Sequence, residues 1–335
     1  MNNYFMGQDG FSWFIGVVED RADPKKAGRV RVRCLGYHNA DTQEIPMEDL
    51  PWASVMMPVT AGANSGIGMS PHFLIEGTWV VGFFRDLAKQ EPVIMGALPG
   101  VNSSTTTNFT IASSSAVGGN SQGGGFKDPN AKYPTNLYLD IADTNLLAQE
   151  SSSTHPSKSV KDAKDSWSTA SGSAEQPAST QSSAKYPTNH VFETESGHYV
   201  EFDDTEGNER IHLYHKMGTF IEIDSSGNVI IKTVGNVTNI VAGNMDTYVK
   251  GNYSVSAGGN IDIYAGKDLT EKVDGNVKIT VTGNVESAIT GSLTEEVTMD
   301  VKQDYKVNLT TTIGALGSIK ASAAMVVGGS SISFN

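Results

Sequence analysis

The stretch Gly227-Asn-Val-Ile-Ile-Lys-Thr-Val-Gly235-Asn-Val-Thr-Asn-Ile-Val-Ala-Gly243-Asn-Met-Asp-Thr-Tyr-Val-Lys-Gly251 decides how this chain is read. Glycine recurs at Gly227, Gly235, Gly243, Gly251, Gly259, Gly275, Gly283 and Gly291, a period of eight whose register runs on through Lys267 and Met299. Asn or Asp follows in most octads, and the next position is apolar: Val229, Val237, Met245, Tyr253, Ile261, Leu269, Val277, Val285, Leu293, Val301, Leu309. Four residues further on, apolar side chains dominate again, at Val241, Val249, Val273, Val281, Ile289 and Val297. A fixed repeat governs the fold before any local propensity does. Offsets of two and six from the glycine are both even, and even offsets in a strand share a face. Each octad is therefore expected to be a short strand with one apolar face. The Gly-Asn pair marks a bend, because both residues tolerate positive φ.

One octad offers only two or three side chains to a core, and its edges carry unpaired N–H and C=O groups. Three chains wound together remove both problems, since the apolar faces meet at the axis and each edge is paired by a neighbour. The repeat thus predicts an intertwined triple-stranded β-helix in a homotrimer. The apolar positions named above form its core and the repeat glycines its turns. If each octad climbs one layer of about 4.8 Å, roughly eleven octads give a rod on the order of 50 Å. The alternative is a single-chain β-solenoid, which is less economical because eight residues are few for a coil with its own core.

The chain has 335 residues, enough for two or three domains. Its net charge is −13, so a trimer would carry −39, three times −13. Such a surface repels phosphates, which argues against nucleic acid and against electrostatic adhesion to an anionic membrane. The single cysteine, Cys34, excludes an intrachain disulfide and alternates with Val30 and Val32 as a core strand residue would. The N-terminus MNNYFMGQDG has no basic and apolar leader, and no apolar run approaches the ~18 residues of a membrane span. Synthesis in a cytoplasm without a cleaved signal is the expectation.

Residues 1–100 read as short strands between turns, including Trp13-Phe-Ile-Gly-Val-Val-Glu19 and the alternating Arg29-Val-Arg31-Val-Arg33-Cys34. About five strands without a helical period suggest a small closed barrel of the oligonucleotide/oligosaccharide-binding (OB) type. Arg29, Arg31 and Arg33 share one face of their strand and are candidate contacts for an acidic partner; a solvated barrel face is the other reading. Residues 101–190 are rich in Ser, Thr, Gly and Ala and are expected to be a linker, extended or disordered. Lys-Tyr-Pro-Thr-Asn occurs there twice, ending at Asn136 and Asn189, which looks like a duplicated docking segment. Residues 191–335 are expected to form the β-helix.

Motifs along the chain carry a more specific resemblance. Trp13-Phe-Ile-Gly-Val-Val-Glu-Asp-Arg21, Asp23-Pro24, Gly28-Arg-Val-Arg-Val-Arg33, Leu50-Pro-Trp52, Ser65-Gly-Ile-Gly68 and Glu76-Gly-Thr78 resemble the N-terminal OB domain of the central spike of T-even-type contractile phages. Tyr186-Pro187, Glu195-Ser-Gly-His198, Glu201-Phe-Asp-Asp-Thr205, Gly207-Asn-Glu-Arg210, His212, His215 and Gly227 resemble the start of that family's triple-stranded β-helix, which VgrG-type secretion spikes share. The resemblance implies a trimer held on a baseplate hub through the OB domain, pointing at the host envelope as a needle that punctures the outer membrane on sheath contraction. It implies a virion protein at the centre of the tail baseplate. The alternatives are a VgrG-type spike of a secretion or tailocin system, or a spike with an unrecognised peptidoglycan-degrading activity.

Lysozyme-bearing relatives place their enzyme between the OB domain and the β-helix. Here residues 101–190 leave no room for such a domain, so no catalytic residue is expected. The acidic run Glu201, Asp203, Asp204, Glu206, Glu209 has the composition of a Ca²⁺ site, against a solvated turn with Glu209 or Asp204 paired to Arg210. His212 and His215 fall on opposite faces of a strand and cannot chelate within one chain. An ion on a threefold axis is the one place left for a metal, and no cofactor is expected. Gly62-Ala-Asn-Ser-Gly66-Ile-Gly68 lacks a Walker lysine and a following helix, and reads as a hairpin loop. Near Gly314 the glycine period breaks. The end of the chain, with Met325, Ile332 and Phe334, is small and apolar and lacks a His-x-His apex. An end of that kind wants a cap, and the resemblance suggests a PAAR-repeat tip protein.

Overall fold

The computed structural model describes residues 12–39, 41–69, 74–99, 144–149, 155, 157–158, 163–177 and 184–329. The first body is a closed barrel of β1 (Trp13–Asp20), β2 (Val30–Cys34), β3 (Trp52–Val55), β6 (Trp79–Phe84) and β7 (Pro92–Ala97), in the order β1-β2-β3-β7-β6. All pairings are antiparallel except β3 with β7. Phe14, Val18, Val30, Val32, Cys34, Ala53, Val80, Phe84 and Ile94 fill it. Burial pushes the Cys34 thiol up to about 12. The walls close tightly at Gly82, where a Cβ would lie 2.2 Å from the Val93 carbonyl oxygen and 2.6 Å from Phe14 Cζ.

Between β3 and β6, β4 (Gly62–Asn64) and β5 (Ile67–Gly68) form the expected hairpin. Its two loop residues, Ser65 and Gly66, have φ of 53° and 78°, the signature of a tight hairpin turn. In the Ser-rich region a second hairpin, β8 (Ser166–Thr169) with β9 (Gly172–Glu175), stands where an extended or disordered stretch is expected. The first Lys-Tyr-Pro-Thr-Asn copy lies outside the described residues.

The second copy leads into a five-stranded antiparallel meander. Its strands are β10 (Asn189–Glu193), β11 (Tyr199–Asp203), β12 (Arg210–Tyr214), β13 (Phe220–Ile223) and β14 (Val229–Lys232), each paired with the next. Its four turns close on Gly197, Gly207, Gly218 and Gly227, all at positive φ. The first octad strand is thus part of a sheet made within one chain.

From residue 233 the described residues form no strand pairing within the chain, and the backbone bends once per octad, from 234–235 to 322–323. Two expectations change here. Among the described residues, Gly227 is the only repeat glycine at positive φ. The later bends need no left-handed backbone, so Lys267 and Met299 fit the register. The bends also continue at 314–315 and 322–323, past the point where glycine spacing fails. The even-offset apolar side chains of the octads are open: Val237 is 72 % exposed, Leu269 65 %, Val285 76 % and Val301 61 %.

Candidate interaction surface

The meander has two chemically opposite faces. Cross-strand register places Phe192, Val200, Leu213, Ile221 and Ile231 in one row across all five strands. A second row on the same face holds Phe202, Ile211, Ile223 and Val229. All but the half-buried Val200 are exposed, Phe192 51 %, Leu213 52 % and Ile231 68 %. Val229 and Ile231 carry the face into the even-offset positions of the octads. An apolar surface spanning five strands is what a partner protein covers.

The other face is charged and buried. Glu201, Asp203, Arg210, His212 and Glu222 are all at most 3 % exposed. Arg210 lies 2.8 Å from Glu201, and His212 Nδ1 lies 2.8 Å from Glu222 Oε2. This corrects the reading of the acidic run: Glu201 and Asp203 are sealed beside Arg210, which pairs with them and not with Asp204 or Glu209. Above these charges, Tyr199, Tyr214, Phe220 and His212 stack on one another.

A strap from the linker covers this face. Leu147 is fully buried against Tyr199, Tyr214 and Phe220. Its carbonyl accepts the Asn189 side-chain amide at 3.0 Å, and Asn145 donates to Glu193. His155 bridges Ser157 (Nδ1 to Oγ, 2.7 Å) and Glu193 (Nε2 to Oε1, 3.2 Å). Burial raises the Glu193 pKa, but the His155 hydrogen bond and charge and the Asn145 bond outweigh it and hold the carboxyl below its usual range. A serine, a histidine and a glutamate in line suggest acyl-transfer chemistry. Here Ser157 is only 2 % exposed and accepts the Tyr199 hydroxyl. On the far edge Lys232 Nζ reaches Ala163, Asp165 and Gln176, tying the β8–β9 hairpin to β14.

The arginine face of the barrel is corrected in part. Arg33 is completely buried, paired with Glu19 and donating to the Asn39 and Ile45 carbonyls. It offers no contact to a partner. Arg29 closes the Asp23 turn at 2.6 Å, and Arg31 donates to Met47 O and stacks on Trp52 at 4.7 Å. The Arg29 hydrogen bonds, with backbone N–H groups of the turn, hold the Asp23 carboxyl well below the usual carboxylate range. Sequence alternation found the shared face but not Glu19, its partner on the neighbouring strand. Arg21 forks onto Glu195 at 2.7 and 2.8 Å, joining the barrel to the first turn of the meander. Of the expected tip residues, Met325 is 60 % exposed, and Ile332 and Phe334 lie outside the described residues.

The described residues thus hold a closed five-stranded barrel, a five-stranded antiparallel meander and a repeat whose apolar side chains are open. Residues 36–188 match the family described as Gp5 N-terminal OB domain. The chain is 40 % identical over 263 residues to "Protein Gp5" of Vibrio phage KVP40, covering 69 % of this chain and 59 % of that protein. It is 40 % identical over 149 residues to the "Pre-baseplate central spike protein Gp5" of Enterobacteria phage T4, covering 43 % of this chain and 23 % of that protein. The chain spans less than two thirds of the length of these relatives. By these matches the chain is similar to the Gp5 proteins of these two phages, with the OB-domain match on residues 36–188.

Proposed function

We propose that this chain is the structural central spike of a contractile phage-tail baseplate, a mechanical needle that penetrates the host outer membrane on sheath contraction. The observation that carries the reading is the open apolar face of the meander, eight exposed side chains and the half-buried Val200, together with the exposed even-position side chains of the octads. A single chain leaves it open to water, and three copies wound about one axis would bury it. Each Val, Leu or Ile so covered contributes up to about 1.5–3 kcal/mol, and the resulting rod is stiff because every strand edge is paired. The relatives' names support the place, a virion tail baseplate.

In this reading the barrel seats on a hub protein. Its contacts fall to exposed apolar residues such as Trp13, Ile15, Val59 and Ile67, since Arg33 is buried while Arg29 and Arg31, partly exposed, are tied to Asp23 and Met47. A PAAR-type tip protein caps the C-terminal end. The work is mechanical, with no enzymatic step, no cofactor and no nucleic-acid partner, the last in keeping with the net charge of −13. Light scattering on the native particle, with and without boiling in detergent, tests the core of it. A detergent-resistant mass near three times 35.6 kDa is expected. A monomer of 35.6 kDa would remove the intertwined needle.

A further inference from the structure

We propose that His198 and His215 form an oxyanion-binding site, taking a carboxylate or an inorganic oxyanion such as phosphate. Tyr199 and Tyr214 are ladder partners, and one step beyond them the two histidines stand side by side. Their rings are 4.4 Å apart, on the face that carries Val200 and Leu213. The Nδ1 atom of His198 accepts the Lys216 backbone N–H at 3.3 Å, and that of His215 accepts the Met217 N–H at 3.2 Å. An Nδ1 that accepts places the proton of a neutral imidazole on Nε2. Both rings are therefore oriented as N–H donors, with the donor atoms on the side away from the turn backbone.

The surroundings are poor in acceptors. The turns Thr194–His198 and His215–Thr219 contain one acid, Glu195, and the Arg21 fork occupies both its oxygens. Lys216 and Ser196 add further donors on the same two turns. In a chain of net charge −13 this is a local concentration of donors with its own carboxylate already satisfied. A metal ion fits it badly, because ligation through Nε2 moves the proton to Nδ1, where it opposes the backbone N–H. Among the described residues no group of three metal-ligating side chains exists.

The oxyanion has two sources, free solute or a carboxylate of a second copy at the seam of the apolar face. Only the second rests on the self-association reading. The experiment is calorimetric titration of the full chain with sodium phosphate and with sodium acetate, against sodium chloride at matched ionic strength. Saturable binding of phosphate or acetate is expected, weakened about tenfold in His198→Phe and His215→Phe, which keep a ring and lose the donor. In the wild-type protein, phosphate should slow diethylpyrocarbonate modification of His198 and His215 several-fold and leave the exposed His190 unchanged. If a copy's carboxylate fills the site, phosphate but not chloride will also shift sedimentation toward smaller species. Equal heats and equal modification rates in phosphate and chloride overturn the site, as does tight Zn²⁺ binding that the same variants abolish.

Discussion

Replacing Leu213 with alanine, and separately with aspartate, probes the apolar face at its centre. Leu213 sits in the middle of its row, flanked by Val200 and Ile221, and is 52 % exposed in the single chain. Fully burying a leucine side chain is worth about 1.5–3 kcal/mol, so covering the exposed half contributes about 1 kcal/mol per copy. In a trimer three such positions change together, which makes about 3 kcal/mol for Leu213→Ala. That is a weakening of association by about two orders of magnitude. Leu213→Asp adds the cost of taking a carboxylate out of water, several kcal/mol per copy, and should leave monomers at micromolar concentration. Sedimentation velocity over a dilution series reads both, with Ser225→Asp on an exposed turn as the control for added charge. Unchanged association in Leu213→Asp would refute the assignment of this face as the one that copies share. Barrel unfolding, followed separately, should be unaffected in both variants.

Other expectations concern the supports of that surface. Glu19→Gln leaves Arg33 buried without its counter-charge and should cost the barrel about 3 kcal/mol in chemical denaturation, whereas replacing both residues by apolar ones of similar volume should recover much of it. Gly82→Ala drives a methyl into the Val93 carbonyl and Phe14, and should lower barrel stability by about 3 kcal/mol with no change in association. Leu147→Ala should cost about 2–4 kcal/mol of local stability and expose the strap to limited proteolysis ahead of the meander. The Asp23 turn is held by a carboxyl whose folded pKa is depressed, so its contribution is present above the unfolded value near 4 and is lost as pH falls through the lower folded value. Acid titration of wild type against Asp23→Asn should show the full difference between them at neutral pH, shrinking steadily as the pH is taken below about 4.

The barrel and the repeat were legible because periodicity states which residues share a face. Val30, Val32 and Cys34 alternate as core positions and lie in the core. Ser65-Gly66 carries its own turn chemistry, and the hairpin follows. The register of eight survives where glycine is replaced, because the bends after Gly227 need no left-handed backbone. The candidate surface was half legible: the octad positions were named, while the meander's two rows were not, although Phe202, Ile211 and Leu213 alternate with charged or polar residues.

What alternation cannot state is which of two faces the rest of the chain will cover. By itself the sequence determined the strand faces and the octad register, since these depend on neighbours within a few residues, whereas the barrel closes through β1 with β6 and β3 with β7, far apart along the chain. Tertiary structure decided that Arg33 meets Glu19 across the barrel wall, that a Leu147 strap seals the charged face of the meander, and that the apolar face is left open. Those outcomes depend on contacts between segments many residues apart, where a side chain's partner is set by how strands pair and where a linker docks. For this chain that inverts the usual rule of apolar inside and charged outside, and leaves on the surface the face that the proposed partner copies would bury.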